Sequence, residues 1–376
     1  MSFSKEIIRW YQENKRDLPW RGTRDPYVIW MSEVILQQTR VDQGLPYFYR
    51  FLEQFPDVGS FAEATEDEIL RLWQGLGYYS RARNMHYAAR QVMHEYQGRF
   101  PSDYNSLIKL KGVGEYTAAA VASFAGGEPK AVVDGNVFRL LARYFGVDTP
   151  INSGRGKKEF QRIADELIDR LHPGLYNQAI MEFGSQQCKP QNPDCGLCVL
   201  QSDCQARVQG KVDTLPVKQR AKPSRNRYFN YLMVQEGNLL LMNKRGSGDI
   251  WENLYELPLL ETDQPVLPHY QPHSLNSLQE SAILNGTVDL LPEDSGYREF
   301  AAAIKEYFGP QASLTYLEGP VKHVLSHQNL YAVFWSVTDY TPEFEKKVSW
   351  DYVDIKQLNN LAKPKLIFSF LEGREE

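Results

Sequence analysis

Four cysteines constrain this 376-residue chain more than any other feature, because all of them lie within seventeen residues. Cys188, Cys195, Cys198 and Cys204 have the spacing C-x6-C-x2-C-x5-C. Four thiolates this close in sequence can surround one metal centre without ligands from elsewhere, and their clustering argues against a dispersed disulfide framework. A structural zinc site is the simpler alternative, although zinc ribbons usually show two C-x-x-C pairs and this chain shows one. The sequence therefore predicts a local metal site.

Hydrophobic periodicity divides the chain into an all-α part and a smaller α+β part. Residues 1–205 carry successive helical stretches, and the helix that opens at Asp25-Pro26 and continues to about Thr39 is apolar on nearly every side, as a buried helix is. Residues 206–227 are polar, basic and interrupted by prolines, which is typical of a linker. Residues 228–376 contain β-rich runs, two of which flank Glu236-Gly237 as in a hairpin, and two helical stretches. We therefore predict a multi-domain protein.

The net charge of −5 is distributed unevenly. Residues 1–210 are neutral, residues 211–227 carry +5 and the remainder carries −10. The negative total therefore does not exclude nucleic acid as a partner of the first domain. No apolar run approaches the roughly 20 residues of a membrane span, and the N-terminal residues lack the pattern of a secretory signal. We expect a cytoplasmic protein that does not contact a membrane.

Gly112 and Gly114 lie just before an alanine-rich helix, in the segment LKGVGEYTA of residues 110–118. Glycine allows a tight turn and a close approach of backbone amides, and a helix N-terminus favours an anion, so a DNA phosphate suits this turn. An ordinary connection between two helices is the alternative. Asp134 follows twenty residues after Gly114, and taken alone it could equally be a helix N-cap.

Glu33 lies inside the apolar helix and, at helical spacing, shares a face with Trp30 and Gln37. A carboxylate in such a place costs free energy unless it is protonated, paired or hydrogen-bonded. Burial raises a carboxyl pKa toward neutrality, which suits a general acid. A buried glutamate held by a backbone group or an arginine is the alternative.

Two longer segments resemble signatures of the adenine DNA glycosylases: WMSEVILQQT at residues 30–39 and GLGYYSRARN at residues 75–84. The glycine turn with its trailing Asp134 resembles the helix-hairpin-helix of the endonuclease III superfamily of base-excision glycosylases. The cysteine spacing resembles the 4Fe–4S loop of the same superfamily. The resemblance covers residues 1–205 and implies an all-α DNA glycosylase domain that holds a 4Fe–4S cluster and acts on double-stranded DNA.

The family resemblance also implies roles for individual residues. Glu33 is expected to protonate an adenine flipped out of the duplex, and Asp134 to stabilise the oxocarbenium-like sugar, while Tyr116 and Asn136 line the site. Enzymes of the superfamily that also cut the strand use a lysine two residues after the second glycine; this chain has Tyr116 there, so base removal is expected to be hydrolytic. The candidate DNA contacts are Gln38 and Tyr78 as wedges, Gly112 and Gly114 at the hairpin, and Arg16, Arg21, Arg81 and Arg83 at phosphates. Core packing is the alternative for Tyr78, and a solvated surface position is the alternative for the arginines.

The second domain resembles the Nudix phosphohydrolases in residues 248–258, GDIWENLYELP, which match the strand before their catalytic box. The box itself is missing, since residues 298–303 have alanines where metal-binding glutamates should be, and this removes a magnesium site. In adenine glycosylases a Nudix-like domain reads 8-oxoguanine through a Phe-Ser-His loop. The matching residues here are Leu325, Ser326 and His327, of which Ser326 and His327 are the candidate contacts.

The resulting prediction is a monomeric, monofunctional DNA glycosylase, associated with the nucleoid, that removes adenine paired with 8-oxoguanine or guanine in base excision repair. A pyrimidine-lesion glycosylase and lyase of the same superfamily is one alternative, which Tyr116 and the second domain oppose. A catalytically silent DNA-binding module is another, which the presence of both Glu33 and Asp134 opposes. A nucleotide phosphohydrolase is opposed by the missing glutamates.

Overall fold

The computed structural model describes residues 3–220, 223–266, 295–341 and 350–374. The chain forms two compact units: Met1–Glu66 with Ser80–Ala221, and Asp67–Tyr79 with Lys222–Glu376. The short segment Asp67–Tyr79 therefore clusters with the second unit, although it precedes most of the first unit in sequence. Within the described ranges, no helix is both long enough and apolar enough to cross a membrane.

The first unit is built from α-helices, which confirms the predicted all-α class. Helix α5 (Glu66–Trp73) begins at a residue of this unit, and its remaining residues belong to the second unit. The other helices are α1 (Phe3–Asn14), α2 (Pro26–Ile35), α3 (Val41–Gln54), α4 (Val58–Glu63), α6 (Ser80–Glu95), α7 (Tyr104–Leu107), α8 (Glu115–Phe124), α9 (Gly135–Phe145), α10 (Gly154–Leu167), α11 (Pro173–Gln186) and α12 (Gln205–Val208), with a 3₁₀ turn at Pro19–Arg21.

Helix α2 is almost wholly buried and packs against α3 and α8. The Asp25 side chain caps it by accepting a hydrogen bond from the amide of Tyr27, and Pro26 takes the first helical position. The helix ends at Ile35 rather than near Thr39, because residues 36–39 turn the chain into α3. In that turn Gln38 adopts a left-handed backbone conformation with φ +56°.

Helices α1, α9, α10 and α11 enclose an apolar core. In this core the rings of Trp10 and Phe183 meet edge to face, with centroids 4.9 Å apart. Leu215 joins this core, and its carbonyl oxygen accepts a hydrogen bond of 3.1 Å from Arg143 Nε. Part of the basic segment 206–227, which the sequence analysis interprets as a linker, thus packs on the first unit.

The second unit is an α+β fold, as predicted. Its helices are α13 (Ser295–Phe308) and α14 (Lys365–Glu372), with a 3₁₀ helix at Ile355–Asn360. Its strands are β1 (Arg225–Met233), β2 (Gln235–Glu236), β3 (Leu239–Lys244), β4 (Tyr255–Glu256), β5 (Leu259–Thr262), β6 (Ser313–Val324), β7 (Gln328–Thr338) and β8 (Trp350–Asp354).

These strands form two sheets. One has the order β5-β1-β7-β6, in which β1 and β7 are parallel and the other pairs antiparallel. In the other, β3 pairs antiparallel with β2, β4 and β8. The hairpin predicted at Glu236-Gly237 joins β2 to β3, and Gly237 has the positive φ of +58° that such a turn requires.

Side chains alternate across the first sheet, so that each face has its own core. Tyr231 and Phe334 pack with α14 on one face, and Leu232 and Trp335 pack with α13 on the other. Strand β6 was not foreseen, because register shifts between Tyr316 and Val321 interrupt the alternation by which a strand is recognised in sequence.

Replacing Phe370 by alanine should weaken the second unit. Its ring stacks on Phe334 with centroids 3.9 Å apart, and both side chains are buried. Losing a buried phenylalanine costs about 3–5 kcal/mol. We expect faster hydrogen exchange of the β7 amides in the full chain. The matched control is Tyr87→Ala, because Tyr87 is 62% exposed; equal effects of the two substitutions would contradict this account of the core.

Candidate functional site

A groove of about 2050 Å³ opens in the first unit. The residues that line it come chiefly from α2, α8, α9, α10, α11 and the segments before α2 and α9, which are far apart in sequence. Glu33, Tyr116, Asp134 and Asn136, the predicted catalytic residues, all lie on its wall. The fold thus brings together the residues for which the sequence predicted a common site.

Glu33 is buried at the groove wall, and burial raises its pKa to about 7. The Tyr116 hydroxyl donates a hydrogen bond of 2.8 Å to Glu33 Oε2, which opposes that rise, while the negative charge of Asp134 adds to it. This carboxyl group therefore exchanges its proton near neutral pH, as a general acid must.

Asp134 is the N-cap of α9. One of its carboxylate oxygens, Oδ1, accepts hydrogen bonds from the amides of Asn136 (2.9 Å) and Val137 (2.7 Å). The other, Oδ2, accepts from Asn136 Nδ2 at 2.8 Å. The N-cap interpretation of Asp134 is thus correct, and it is compatible with a chemical role. Burial raises the pKa of Asp134, and these donors oppose the rise by stabilising the carboxylate.

Glu182 on α11 is a groove residue that the sequence analysis missed. Its carboxylate accepts hydrogen bonds from Arg16 Nε (2.9 Å) and Nη2 (2.7 Å) and from Arg21 Nη2 (2.7 Å). Burial alone would raise the pKa of Glu182, but the two arginines outweigh it and lower the pKa to about 2. Arg16 and Arg21, predicted as phosphate contacts, are therefore ion-paired with a buried carboxylate at the groove wall, and their contact with phosphate stays a prediction.

The glycine turn lies before α8 as predicted. Gly112 has φ +76°, and a Cβ atom there would come within 2.6 Å of Asn84 Cβ, so this position needs glycine. Gly114 is the N-cap of α8 and has no side chain to satisfy the first amides of that helix. From α6, Gln91 holds the turn by donating to the Lys109 carbonyl and accepting from the Lys111 amide. The turn can accept an anion at its amides.

Arg81 and Arg83, the other predicted phosphate contacts, lie half-buried on α6. Arg81 Nη1 donates hydrogen bonds to the carbonyl oxygens of Val34, Ile35 and Gln37 at 2.9, 3.2 and 2.5 Å. These three contacts are all to the end of α2 and the turn after it. Gln38, a predicted wedge, is exposed in the turn that follows α2. Lys157 and Lys158 on α10 also line the groove and are exposed, and no feature of the sequence had singled them out.

The other candidate contacts lie in the second unit. Ser326 and His327 are exposed at the tip of the β6–β7 hairpin, where the Leu325 amide donates to the Gln328 carbonyl at 2.9 Å. The hydroxyls of Ser326 and Tyr78 are 2.5 Å apart. Tyr78 is 47% exposed and, like Gln38, has a positive φ, here +48°. Leu325 packs against the core. As leucine it has no aromatic ring, so it cannot stack on a base as phenylalanine could.

Cys188, Cys195, Cys198 and Cys204 line one small cavity beside α9. Across the described ranges, no three His, Cys, Asp or Glu side chains are close enough to hold a single metal ion, so the thiols surround a space rather than converge on a point. Arg143 supports the loop by donating to Cys188 Sγ at 3.5 Å and to the Lys189 carbonyl at 2.6 Å. Four thiols around a cavity, with a cation alongside, fit an anionic iron–sulfur cluster.

Three family models match the chain. The model of an HhH-GPD superfamily base excision DNA repair protein matches residues 31–169, and that of the iron–sulfur binding domain of endonuclease III matches residues 188–204. A NUDIX domain model matches residues 230–373. The four cysteines are therefore the ligands expected for a 4Fe–4S cluster, and the zinc alternative is not supported.

Several similar proteins are described as adenine DNA glycosylases. The adenine DNA glycosylase of Buchnera aphidicola subsp. Acyrthosiphon pisum is 32% identical over 266 residues, which cover 70% of this chain and 76% of that protein. The adenine DNA glycosylase of Homo sapiens is 40% identical over 223 residues, which cover 57% of this chain and 41% of that one. The solved structure of a thermostable thymine-DNA glycosylase, 30% identical, matches with a TM-score of 0.52 over 55% of this chain and 95% of that one.

Two substitutions should move the pKa of Glu33 in opposite directions. Tyr116→Phe removes a hydrogen bond that stabilises the carboxylate, so the pKa should rise above about 7. Glu182→Gln leaves Arg16 and Arg21 without their counter-charge. Their uncompensated positive charge should lower the pKa of Glu33. We expect shifts of about one pH unit or more. The measurement is a ¹³C NMR titration of protein labelled at the glutamate carboxyl groups, with the resonance assigned by its loss in Glu33→Gln.

Glu166→Gln is the matched control, because Glu166 is also paired with an arginine, Arg162, but is exposed. It should leave the titration of Glu33 unchanged. Shifts of Tyr116→Phe and Glu182→Gln in the same direction would contradict the electrostatic account of the site.

Proposed function

This chain belongs to the adenine DNA glycosylases, enzymes of base excision repair that act on double-stranded DNA, and we propose that its substrate is adenine mispaired with 8-oxoguanine or guanine. The chain holds a 4Fe–4S cluster through its four cysteines, whose ligation would fix the loop beside α9. Glu33, Tyr116 and Asp134 come from a single chain, which supports action as a monomer.

The observation that carries the mispair proposal is the contact between Tyr78 and Ser326. Their hydroxyls are 2.5 Å apart, and both side chains are exposed within the second unit. 8-Oxoguanine differs from guanine at the N7–C8 edge, where it has an N–H donor and an added carbonyl acceptor. A serine hydroxyl can donate and accept, so Ser326 suits that edge, with His327 beside it. Tyr78 supplies an aromatic ring that can stack on a base.

We assign base release to the groove of the first unit. Glu33, with a pKa of about 7, keeps its proton in a large fraction of molecules near neutral pH and donates it to N7 of the extruded adenine. Tyr116 donates to Oε2, which leaves Oε1 to carry the transferred proton. Protonation makes the base a better leaving group, so the glycosidic bond breaks with positive charge developing on the sugar.

Asp134 supports that charge as a carboxylate. Its oxygens accept three hydrogen bonds from Asn136 and Val137, which keep the carboxylate in one orientation and favour its anionic form. A negative group fixed in this way stabilises an oxocarbenium-like sugar, as in glycoside hydrolysis, and water then completes the reaction.

A hydrolytic rather than a lyase reaction is supported by Tyr116. It occupies the position at which strand-cutting relatives would need an amine, and its hydroxyl is bonded to Glu33. The lysines on the groove wall are Lys130, Lys157 and Lys158, and Lys130 Nζ lies 4.6 Å from the centre of the Tyr104 ring. None of them follows the hairpin at the expected spacing.

Single-turnover cleavage of labelled duplexes tests this function. Duplexes with adenine opposite 8-oxoguanine or guanine should break only after alkali, and a duplex with adenine opposite thymine should stay intact. Glu33→Gln should lower the rate about 10²–10⁴-fold while mismatch binding persists, because general acid catalysis is lost and the shape is kept. Breaks without alkali would overturn the hydrolytic assignment.

The lesion preference has its own test. Ser326→Ala should lower the ratio of the rates for 8-oxoguanine and guanine by about threefold to tenfold, the worth of one hydrogen bond. Ser313→Ala, at the other end of β6, is the matched control and should leave the ratio unchanged. An unchanged ratio in Ser326→Ala would move recognition of the lesion away from this hairpin.

A further inference from the structure

The end of helix α2 is held by one guanidinium group. The last carbonyl groups of a helix lack partners within it, and a cation at that end is also favoured by the helix dipole. Arg81 reaches this end from α6 and donates through Nη1 to the carbonyls of Val34, Ile35 and Gln37 at 2.9, 3.2 and 2.5 Å. Two of these residues end the buried helix, and the third belongs to the turn after it.

This end of α2 carries two residues with predicted roles. Glu33 immediately precedes Val34, and Gln38 immediately follows Gln37. Gln38 is exposed and has φ +56°, a conformation that costs free energy in a residue other than glycine and persists only where its surroundings impose it. The shortest of the three hydrogen bonds from Arg81 is to the Gln37 carbonyl, in the peptide that leads into Gln38.

We propose that Arg81 is a positioning residue that holds the turn of Gln38 in the conformation needed to enter the duplex and to displace the target base. The proposal rests on the function proposed above, in which an adenine leaves the base stack. It replaces the phosphate contact that the sequence analysis predicted for Arg81. A guanidinium group has donors in a fixed planar fork, so it can hold several carbonyls in place, and a group so engaged is not available as a simple counter-charge.

A second contact holds the same turn from the other side. Gln37 Nε2 donates to Thr117 Oγ1 on α8 at 3.2 Å. The turn is therefore tied to α6 through its backbone and to the helix of the glycine hairpin through a side chain. Loss of Arg81 removes the backbone tie and leaves the tie to Thr117, so the turn should relax while α2, whose burial does not depend on Arg81, stays folded.

The experiment compares Arg81→Met and Arg81→Lys with the wild type in the full-length protein. Arg81→Met keeps the aliphatic stem and removes charge and donors; Arg81→Lys keeps the charge but not the planar fork. The matched control is Arg90→Met on the same helix, since Arg90 donates to the single carbonyl of Ala62. One readout is the fluorescence rise of 2-aminopurine placed beside the target adenine, which reports unstacking. The other is the slope of log affinity against log salt for an undamaged duplex.

We expect both Arg81 variants to lose about tenfold or more in the equilibrium for unstacking, the worth of hydrogen bonds to a charged donor. The salt slope should stay at the wild-type value, and Arg90→Met should match the wild type in both readouts. A phosphate contact would instead lower the salt slope of Arg81→Met by about 0.9. That result, or full unstacking in either folded variant, would overturn the proposal.

Failure of the proposed function is distinguishable from failure of this proposal. If the wild-type protein itself causes no unstacking opposite guanine or 8-oxoguanine, the proposed function fails. If the wild type unstacks the base and the Arg81 variants do so equally, only the role of Arg81 fails. Thermal melting by circular dichroism establishes that each variant is folded, and Arg81→Lys provides the test if Arg81→Met does not fold.

Discussion

A carboxyl group buried in an apolar helix is the constraint on which the site depends. Glu33 lies in α2 among residues that are nearly all inaccessible, and this burial raises its pKa to about 7. Burial does not orient the carboxyl group of Glu33. The hydrogen bond from the Tyr116 hydroxyl to Oε2 does so. The charge of Arg21 lowers the pKa of Glu33, but Glu182 ion-pairs with Arg16 and Arg21 and limits the influence of their charges. The pKa of Glu33 therefore depends on the neighbouring charged and polar residues as well as on the burial of Glu33 itself.

Helix α9 joins this site to the cysteine loop. Asp134 caps its N-terminus, and further along the helix Arg139 donates to Asn136 Oδ1 at 3.0 Å and to the Cys188 carbonyl at 2.8 Å. Arg143, one turn later, donates to the Cys188 sulfur and to the Lys189 carbonyl. Ligation of the cysteines would fix the loop, and the loop would in turn fix the helix that orients Asp134. Through these contacts the bound cluster would have an architectural role.

Local signals in the sequence were enough to predict the fold class and to single out Glu33 and the glycine hairpin, whereas the other site residues were predicted from the family resemblance. A charged residue in an apolar helix marked Glu33, and glycines before a helix marked the hairpin at Gly112. Partners distant in sequence could not be predicted in this way. Glu182 and Arg16 are 166 residues apart, and nothing in either segment indicates that they pair. The same physical signal that marked Glu33, a lone carboxylate among apolar residues, was present at Glu182 in IMEFG, but its meaning depended on arginines from elsewhere in the fold.

The positions of arginine and lysine in the sequence therefore do not indicate which of these side chains contact DNA. Arg81, Arg139 and Arg143 each hold several protein oxygens, for which a planar guanidinium group with donors on both edges is suited. Lysine is a compact charge on a flexible stem, and Lys157 and Lys158 remain exposed on the groove wall. On this basis, arginines of this kind hold helices and loops in place, while lysines and the amides of the glycine hairpin are left to neutralise phosphate. The affinity for DNA would then depend on salt through the lysines, and the geometry of base extrusion would depend on the arginines.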